Sequence, residues 1–504
     1  MANPLYDALF GRHAGKQTPF LYLPDDRLIT HAGFLAVTAR YANAFDACGL
    51  RPGDRVAVQI EKSPDALALY AACVQAGLVF LPLNPAYQPA EVSYFVGNSG
   101  ARLLVCDPAN AAALSDIAED SGARLETMDS DGKGSLRDLA TGQPEHFQTV
   151  AREMDDLAAF LYTSGTTGRS KGAMLSQRNL LSNARTLTEV WRFTESDVLL
   201  HALPIFHTHG LFVATNIILL SGGAMIFLPK PDVTQMIRFM PQASSLMGVP
   251  TFYTRLLDAP EFTRELTAHM RLFISGSAPL LAETHEQFAA RTGHRILERY
   301  GMTETNMNTS NPYDGERRAG TVGMPLLGVE LKVCDPETGA EVPQGEIGVI
   351  EVRGDNVFQG YWQMPEKTAA ELREDGFFIT GDLGLIDDQG YVQIVGRGKD
   401  LIISGGYNIY PKEVELLLDE QAHVVESAVI GVPHGDLGEA PVAVLVRDKA
   451  GEPDLNAIIA ALNRELARFK VPRQFVVVDE LPRNTMGKVQ KNLLRDQYTE
   501  LFTA

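Results

Sequence analysis

The 504-residue chain has little cysteine: Cys48, Cys73, Cys106 and Cys334, with no C-x-x-C pair among them. A disulfide-stapled scaffold is excluded, and the chain reads as reduced and intracellular. Long apolar runs are absent too. Leu211 to Leu220 is the most apolar stretch, contains Thr215 and Asn216, and falls far short of the ~20 residues a membrane-spanning helix needs. Met1 to Phe10 lacks a basic region followed by an apolar core, so no secretory signal is expected. The end, Leu-Phe-Thr-Ala, is neither a peroxisomal nor an ER address. Positive charge is in deficit, with 44 basic against 63 acidic residues and a net charge of −19. Such a chain repels nucleic-acid phosphates on average, yet leaves room for a small basic pocket. These absences predict a soluble cytoplasmic enzyme with no nucleic-acid and no membrane partner.

What is present is ordinary globular composition, 45% hydrophobic and 21% charged. The length exceeds one core, since cores stop growing near ~250–300 residues. Strands expected at 55–60, 102–106, 224–228 and 271–275 alternate with helices at 64–77, 233–239 and 280–292. That alternation predicts α/β layers around a largely parallel sheet. After about Gly328 the texture changes to short alternating strands at 329–333, 348–352 and 391–395, a small β-rich subdomain. Beyond Lys399 a third texture begins, with helices at 411–418, 456–469 and 489–498 and strands at 428–432, 442–446 and 474–478. We expect two domains, 1–398 and 399–504.

The first chemical signal follows the apolar strand 157–162. Thr163, Ser164, Gly165, Thr166, Thr167, Gly168, Arg169, Ser170 and Lys171 run into Gly172. Glycines let the backbone aim its N–H groups at one place, hydroxyls add donors and Lys171 adds charge, which suits a polyphosphate. The spacing is not the Walker pattern, and a flexible surface loop of the same composition remains an alternative. Neither a dinucleotide-binding G-x-G-x-x-G after a strand nor a G-x-S-x-G nucleophile elbow is found.

The loop does not stand alone. Glu298-Arg-Tyr-Gly-Met-Thr-Glu-Thr305, Phe377-Phe-Ile-Thr-Gly-Asp382, Gly396-Arg-Gly-Lys-Asp400, Ser404-Gly-Gly-Tyr-Asn-Ile-Tyr-Pro411 and Pro482-Arg-Asn-Thr-Met-Gly-Lys488 follow in order. This ordered set resembles the adenylate-forming enzymes, which comprise acyl-CoA synthetases, peptide-synthetase adenylation domains and luciferases. The resemblance covers Leu157 to Lys488. It implies a large N-terminal domain of two α/β subdomains plus a β-barrel subdomain, and a small mobile α+β C-terminal domain.

The resemblance also implies roles. A carboxylate and ATP would give acyl-AMP and pyrophosphate, and a thiol would then attack the acyl-AMP. Two anions must meet in the first step, so positioning and cation placement carry the catalysis. The loop from Thr163 to Lys171 would hold the β- and γ-phosphates, Thr303 the α-phosphate, and Glu304 a Mg²⁺ ion. Glu298, Tyr300, Gly301 and Met302 would line the ATP site. Tyr300 and the strand end Gly276-Ser277-Ala278 would enclose adenine. Asp382 would accept from the ribose hydroxyls, with Arg397 nearby. Lys488 would bridge the carboxylate and the α-phosphate as a point-like cation. Its acylation would remove that charge, which makes a lysine acetyltransferase and deacetylase pair an expected partner. Lys399 falls at the family hinge. Rotation there would withdraw Lys488 and bring Gly405, Gly406 and Tyr407 up for CoA.

The acid is read from three segments. Pro204-Ile-Phe-His207-Thr-His209-Gly210 places His207 where the family has an aromatic or histidine gate beside the carboxylate. His209 reads as a packed loop residue, and no third ligand or H-E-x-x-H supports a metal site. Gly248-Val-Pro-Thr-Phe-Tyr-Thr-Arg255 predicts a helix from Pro250, a good first helical position. Arg255 either points inward and pairs with a second carboxylate or is solvated on the helix face. With Ile274-Ser-Gly-Ser277-Ala-Pro279, where Ser277 offers a hydroxyl, the run resembles malonyl-CoA synthetases. That implies malonate, with methylmalonate as a second substrate. A fatty or aryl acid ligase and a non-catalytic nucleotide-binding relative are the alternatives. One departure is visible: Arg169-Ser170 stands where many members have a basic residue followed by proline.

Overall fold

In the computed structural model, residues 2–502 are described apart from 164–169, 405–406, 436, 467 and 485–486, and without the side chain of residue 408. Two α/β layers carry the first half of the chain. In one, a six-stranded sheet runs Arg124–Thr127, Leu103–Cys106, Arg55–Gln59, Val79–Pro82, Leu157–Thr163, Lys171–Ser176. Its first five strands are parallel and the last is antiparallel. The four central strands from Leu103 to Thr163 are buried over most of their length, which is why they read as continuous apolar runs rather than alternating ones.

The second layer is a nine-stranded sheet whose parallel centre is Leu297–Met302, Leu272–Ser275, Ser245–Gly248, Val198–His201, Ala224–Phe227 and Pro19–Tyr22. The carboxyl ends of these strands deliver Gly248, Ser275 and Met302 to one edge of the sheet, where open α/β sheets bind ligands. The helix Pro64–Gln75 has Ser63 as its cap, the hydroxyl accepting from the Ala66 N–H, and proline in its first turn. Both features fit a helix start.

The β-rich subdomain is a four-stranded antiparallel sheet, Val329–Cys334, Gly348–Gly354, Phe378–Ile386, Val392–Arg397. A five-stranded sheet follows, built on the hairpin Val424–His434 and Gly438–Arg447. These strands outrun the expected 428–432 and 442–446, because backbone pairing continues past the apolar core positions through Glu426, Ser427 and Glu439. The expected helix 456–469 ends earlier, as Leu455–Glu465, with Leu466 already extended. A large apolar core draws on residues from Leu5 to Val392, and a second cluster, from Ala57 to Phe160, packs on the six-stranded sheet. Two separate clusters serve the chain from Ile402 to Phe502. Among the described residues no helix is long and apolar enough to cross a membrane.

Candidate functional site

The buried carboxylate of Asp382, 3% exposed, anchors one end of the site. Asp382 faces Arg397 directly across the antiparallel pair of strands, and Arg397 Nε lies 2.6 Å from its Oδ1. The Tyr300 hydroxyl donates to Oδ2 at 2.5 Å. Asp382 holds the Arg397 guanidinium above its ordinary value. Burial, reinforced by the same carboxylate, pushes the Tyr300 phenol well up.

Glu304 marks the middle. It lies in the tight turn between strands Leu297–Met302 and Asn306–Ser310, where a Cβ on Gly301 would meet the Asn306 carbonyl oxygen at 1.9 Å. Only glycine fits so close an approach. Thr303 lies half-buried in that turn. Glu304 is 5% exposed. Its Oε1 accepts from Thr163 Oγ1 at 3.3 Å and sits 3.1 Å from the Tyr361 hydroxyl. Lys171, on the far flank of the phosphate-loop motif, pairs with Glu371 at 3.3 Å. Ser164, Gly165, Thr166, Thr167 and Gly168, expected to hold phosphates, lie outside the described residues, as do Gly405 and Gly406.

Lys488 enters this space from the C-terminal part of the chain. Its N–H donates to the Asn484 side chain at 3.0 Å, and its carbonyl accepts from the Asn484 N–H at 2.9 Å. Gly487 takes φ +76° in that loop, a conformation glycine adopts without strain. Lys488 is exposed as a residue, but its ammonium is walled by protein. Desolvation by those walls lowers its pKa, and Arg397 and Arg299 add to the effect. Asp382 and Glu304 oppose it. One lysine thus feels both ends of the nucleotide corner and the acyl side.

The acyl side is built on an unusual helix. His209–Thr215 is a π-helix continued by the α-helix Asn216–Ser221, and single π turns recur at functional sites. The Gly210 carbonyl accepts from Thr215 Oγ1 and lies 2.9 Å from His201 Nε2. Buried Lys62 donates to His201 Nδ1 at 2.8 Å and to its carbonyl at 2.9 Å, so the ring's proton belongs on Nε2. The π turn sets His209 Nδ1 3.1 Å from Ser277 Oγ. Ser277 itself sits at φ +71°, a strained position for a non-glycine residue. Burial lowers both histidines, His207 to about 3 and His209 well below its usual range.

Between these groups lies Arg299, 3% exposed. Its Nε and one terminal nitrogen have no hydrogen-bond partner, and it makes no ion pair among the described residues. A buried unpaired guanidinium is costly, and burial lowers its pKa to about 9. Its neighbour Glu298 is pushed up to about 8 by burial and accepts from the Leu280 N–H at 3.2 Å. Arg299 is the residue that motif reading passed over. Strand alternation was the available signal, since it turns Arg299 away from Glu298 and Tyr300.

Arg255 differs. The helix starts at Pro250 as expected, but Phe252, Tyr253 and Leu256 form its buried face, leaving Arg255 exposed on the last turn. Gly276 lies against Arg299, with Ser277 and Ala278 half-buried beside it. Lys399 lies in the short turn Gly398–Asp400. Tyr407 is 58% exposed and stacks on Phe469 at 4.6 Å. Among the described residues no group of three His, Cys, Asp or Glu side chains is placed to hold a metal by itself.

Comparison with known proteins fits this geometry. Residues 11–362 match the AMP-binding enzyme family, and residues 413–488 match the AMP-binding enzyme C-terminal domain. The chain is 34% identical over 508 residues to a malonate–CoA ligase of Arabidopsis thaliana, covering 94% of this chain and 82% of that protein. It is 57% identical to ATP-bound MatB from Rhodopseudomonas palustris over 100% of both chains, with a TM-score of 0.98. Against the apo form of that protein, also 57% identical over 100% of both chains, the TM-score is 0.87.

Proposed function

The chain belongs to the AMP-binding enzyme family, and we propose that it is an ATP-dependent ligase joining malonate to CoA through a malonyl-adenylate. It is an acid–thiol ligase, with an acid, ATP and CoA as substrates. The observation that carries malonate is Arg299, a buried guanidinium without an ion-pair partner among the described residues. A second carboxylate on the acid would supply the missing anion, and a bidentate pair would fix its orientation. Ser277 and His207 complete the acyl pocket in this reading. Arg255, exposed on its helix, is left solvated. Methylmalonate is a second substrate where the pocket admits one more methyl.

Lys488 is the catalytic cation. It draws the near carboxylate and the α-phosphate together, and Thr303 donates to the α-phosphate. Thr163 to Lys171 hold the outer phosphates. Tyr300 and Gly276 to Ala278 enclose adenine, with Glu298, Gly301 and Met302 lining the site. Asp382, already oriented by Arg397, accepts from the ribose. His207 is neutral and gates the carboxylate. Glu304 suits Mg²⁺, because a single buried carboxylate among hydroxyl oxygens matches an ion shared with substrate phosphates. When bound, that ion would neutralise charge on the leaving pyrophosphate.

Lys399 is the hinge between domains 1–398 and 399–504 in this account. Rotation there removes Lys488 and presents Gly405, Gly406 and Tyr407 to CoA. Acetylation of Lys488 would switch adenylation off by removing the cation, with a lysine acetyltransferase and deacetylase as partners in the cytoplasm. The test of the ligase reading is ATP- and CoA-dependent thioester formation with malonate, methylmalonate, acetate, octanoate and 4-coumarate. Malonate should lead, and a monocarboxylate in first place would end the malonate assignment.

A further inference from the structure

Lys171 is engaged by something other than phosphate. Its Nζ is 3.3 Å from Glu371 Oε2 and 4.1 Å from the centre of the Tyr361 ring. The pair is sheltered, with Lys171 only 13% exposed. The other Glu371 oxygen is held by Lys367 at 2.6 Å. The Tyr361 hydroxyl lies 2.7 Å from Glu371 Oε2 and 3.1 Å from Glu304 Oε1. A phenol has one proton, so it serves one carboxylate at a time, and the shorter contact is to Glu371.

This arrangement is built in by the backbone. The Trp362 N–H donates to the Gly172 carbonyl at 2.8 Å, and the Met174 N–H to the Gly360 carbonyl at 3.0 Å. The Tyr361 N–H donates to Thr368 Oγ1 at 2.9 Å. Segment 360–371 is therefore pinned along the strand that starts at Lys171.

We propose that Glu371 is a positioning residue, a resident counter-anion that holds Lys171 ready and competes with the polyphosphate for it. The inference rests on the reading of Thr163 to Lys171 as the polyphosphate holder. When ATP arrives, Lys171 exchanges a carboxylate for a phosphate oxygen. Glu371 keeps Lys367 and the Tyr361 hydroxyl, so it is not left bare. The Tyr361 hydroxyl keeps donating to Glu371, which leaves Glu304 free to accept elsewhere. The exchange works in reverse after adenylation. Glu371 recaptures Lys171 and weakens the hold on pyrophosphate, so product leaves.

The test is the dissociation constant of pyrophosphate and of ATP by titration calorimetry, with Mg²⁺ present. Wild type, Glu371→Gln, Lys171→Ala and the double variant are compared, with thermal melts alongside. Glu371→Gln should tighten pyrophosphate about fivefold, a size fitting one partly exposed ion pair. Lys171→Ala should weaken both ligands, and the double variant should lose the tightening. If Glu371→Gln does not fold, Glu371→Asp, which draws the charge back, should tighten pyrophosphate by less. Unchanged or weaker pyrophosphate binding in a well-folded Glu371 variant overturns the proposal, as does tightening that persists without Lys171. If Lys171→Ala leaves both affinities unchanged, the polyphosphate reading of the loop fails first and takes the proposal with it.

Discussion

The Arg299 guanidinium packs so closely on Gly276 that a Cβ at residue 276 would stand 2.4 Å from Cζ. Gly276→Ala therefore pushes aside the end of a flexible side chain rather than backbone. We predict that KM for malonate rises about tenfold or more, since one tenfold step is only ~1.4 kcal/mol. The KM for ATP should rise by less, since Gly276 also borders the proposed adenine site while the new Cβ meets Arg299 first, and the melting temperature should move little. Steady-state kinetics on both substrates checks this, and a matching loss for ATP would place the damage in the adenine wall instead.

Lys488→Ala should separate the two half-reactions. Adenylation, followed by malonate-dependent pyrophosphate release, should fall ~10²–10³-fold, the usual cost of removing one transition-state charge stabiliser. Conversion of supplied malonyl-adenylate to thioester should stay within about threefold of wild type, because the same loss cannot reach a step that the residue does not serve. Equal loss of both steps would contradict the hinge account.

Burial raises the Glu298 carboxyl from 4.5 to about 8. The folded protein then keeps a proton that the unfolded chain releases. This contribution is fully present below the unfolded pKa of 4.5 and is lost as pH rises through about 8. Glu298→Gln, neutral at every pH, should flatten the fall in melting temperature across that window. Melting curves of both proteins from about pH 5 to pH 8 test it, and parallel slopes would mean that Glu298 is ionised in the fold.

Gly210 has the least room of the glycines near the acyl pocket. A Cβ there would meet the Pro204 carbonyl oxygen at 2.0 Å, and backbone would have to yield. Gly210→Ala should destabilise by ~2–4 kcal/mol, in the range of forced core strain, and misplace His209. Chemical denaturation reads the first effect and malonate kinetics the second. An alanine variant with wild-type stability would show that the π turn is not fixed by this contact.

Much of this architecture was legible in the chain itself. The strand expected at 55–60 and the helix from Pro64 announced themselves by an apolar run, a proline at the helix start and a glycine at its end. Asp382, Tyr300 and Glu304 stood in an ordered set of motifs, and the fold brings Asp382 to Arg397 across one strand pair. What stayed hidden depends on three-dimensional neighbours. Arg255 sat correctly on its helix, but two residues of rotation separate its exposed face from buried Tyr253. Arg299 lay inside a motif whose flanking residues drew the attention. Tyr361 and Glu371 belong to no quoted motif, because their meaning arises from the backbone pairing of Tyr361 with Ala173 and from a Lys171–Glu371 contact 200 residues apart in sequence. The π turn is invisible too, since an apolar stretch specifies burial without specifying helix pitch.

The central claim is that one buried guanidinium selects a dicarboxylate. Its most direct test is the ratio of kcat/KM for malonate over propanoate in wild type, Arg299→Met and Arg255→Ala. Breaking a buried ion pair costs ~3–5 kcal/mol, so Arg299→Met should collapse the ratio by about 100-fold or more, while Arg255→Ala leaves it nearly unchanged. A ratio preserved in Arg299→Met, or lost only in Arg255→Ala, would contradict the account.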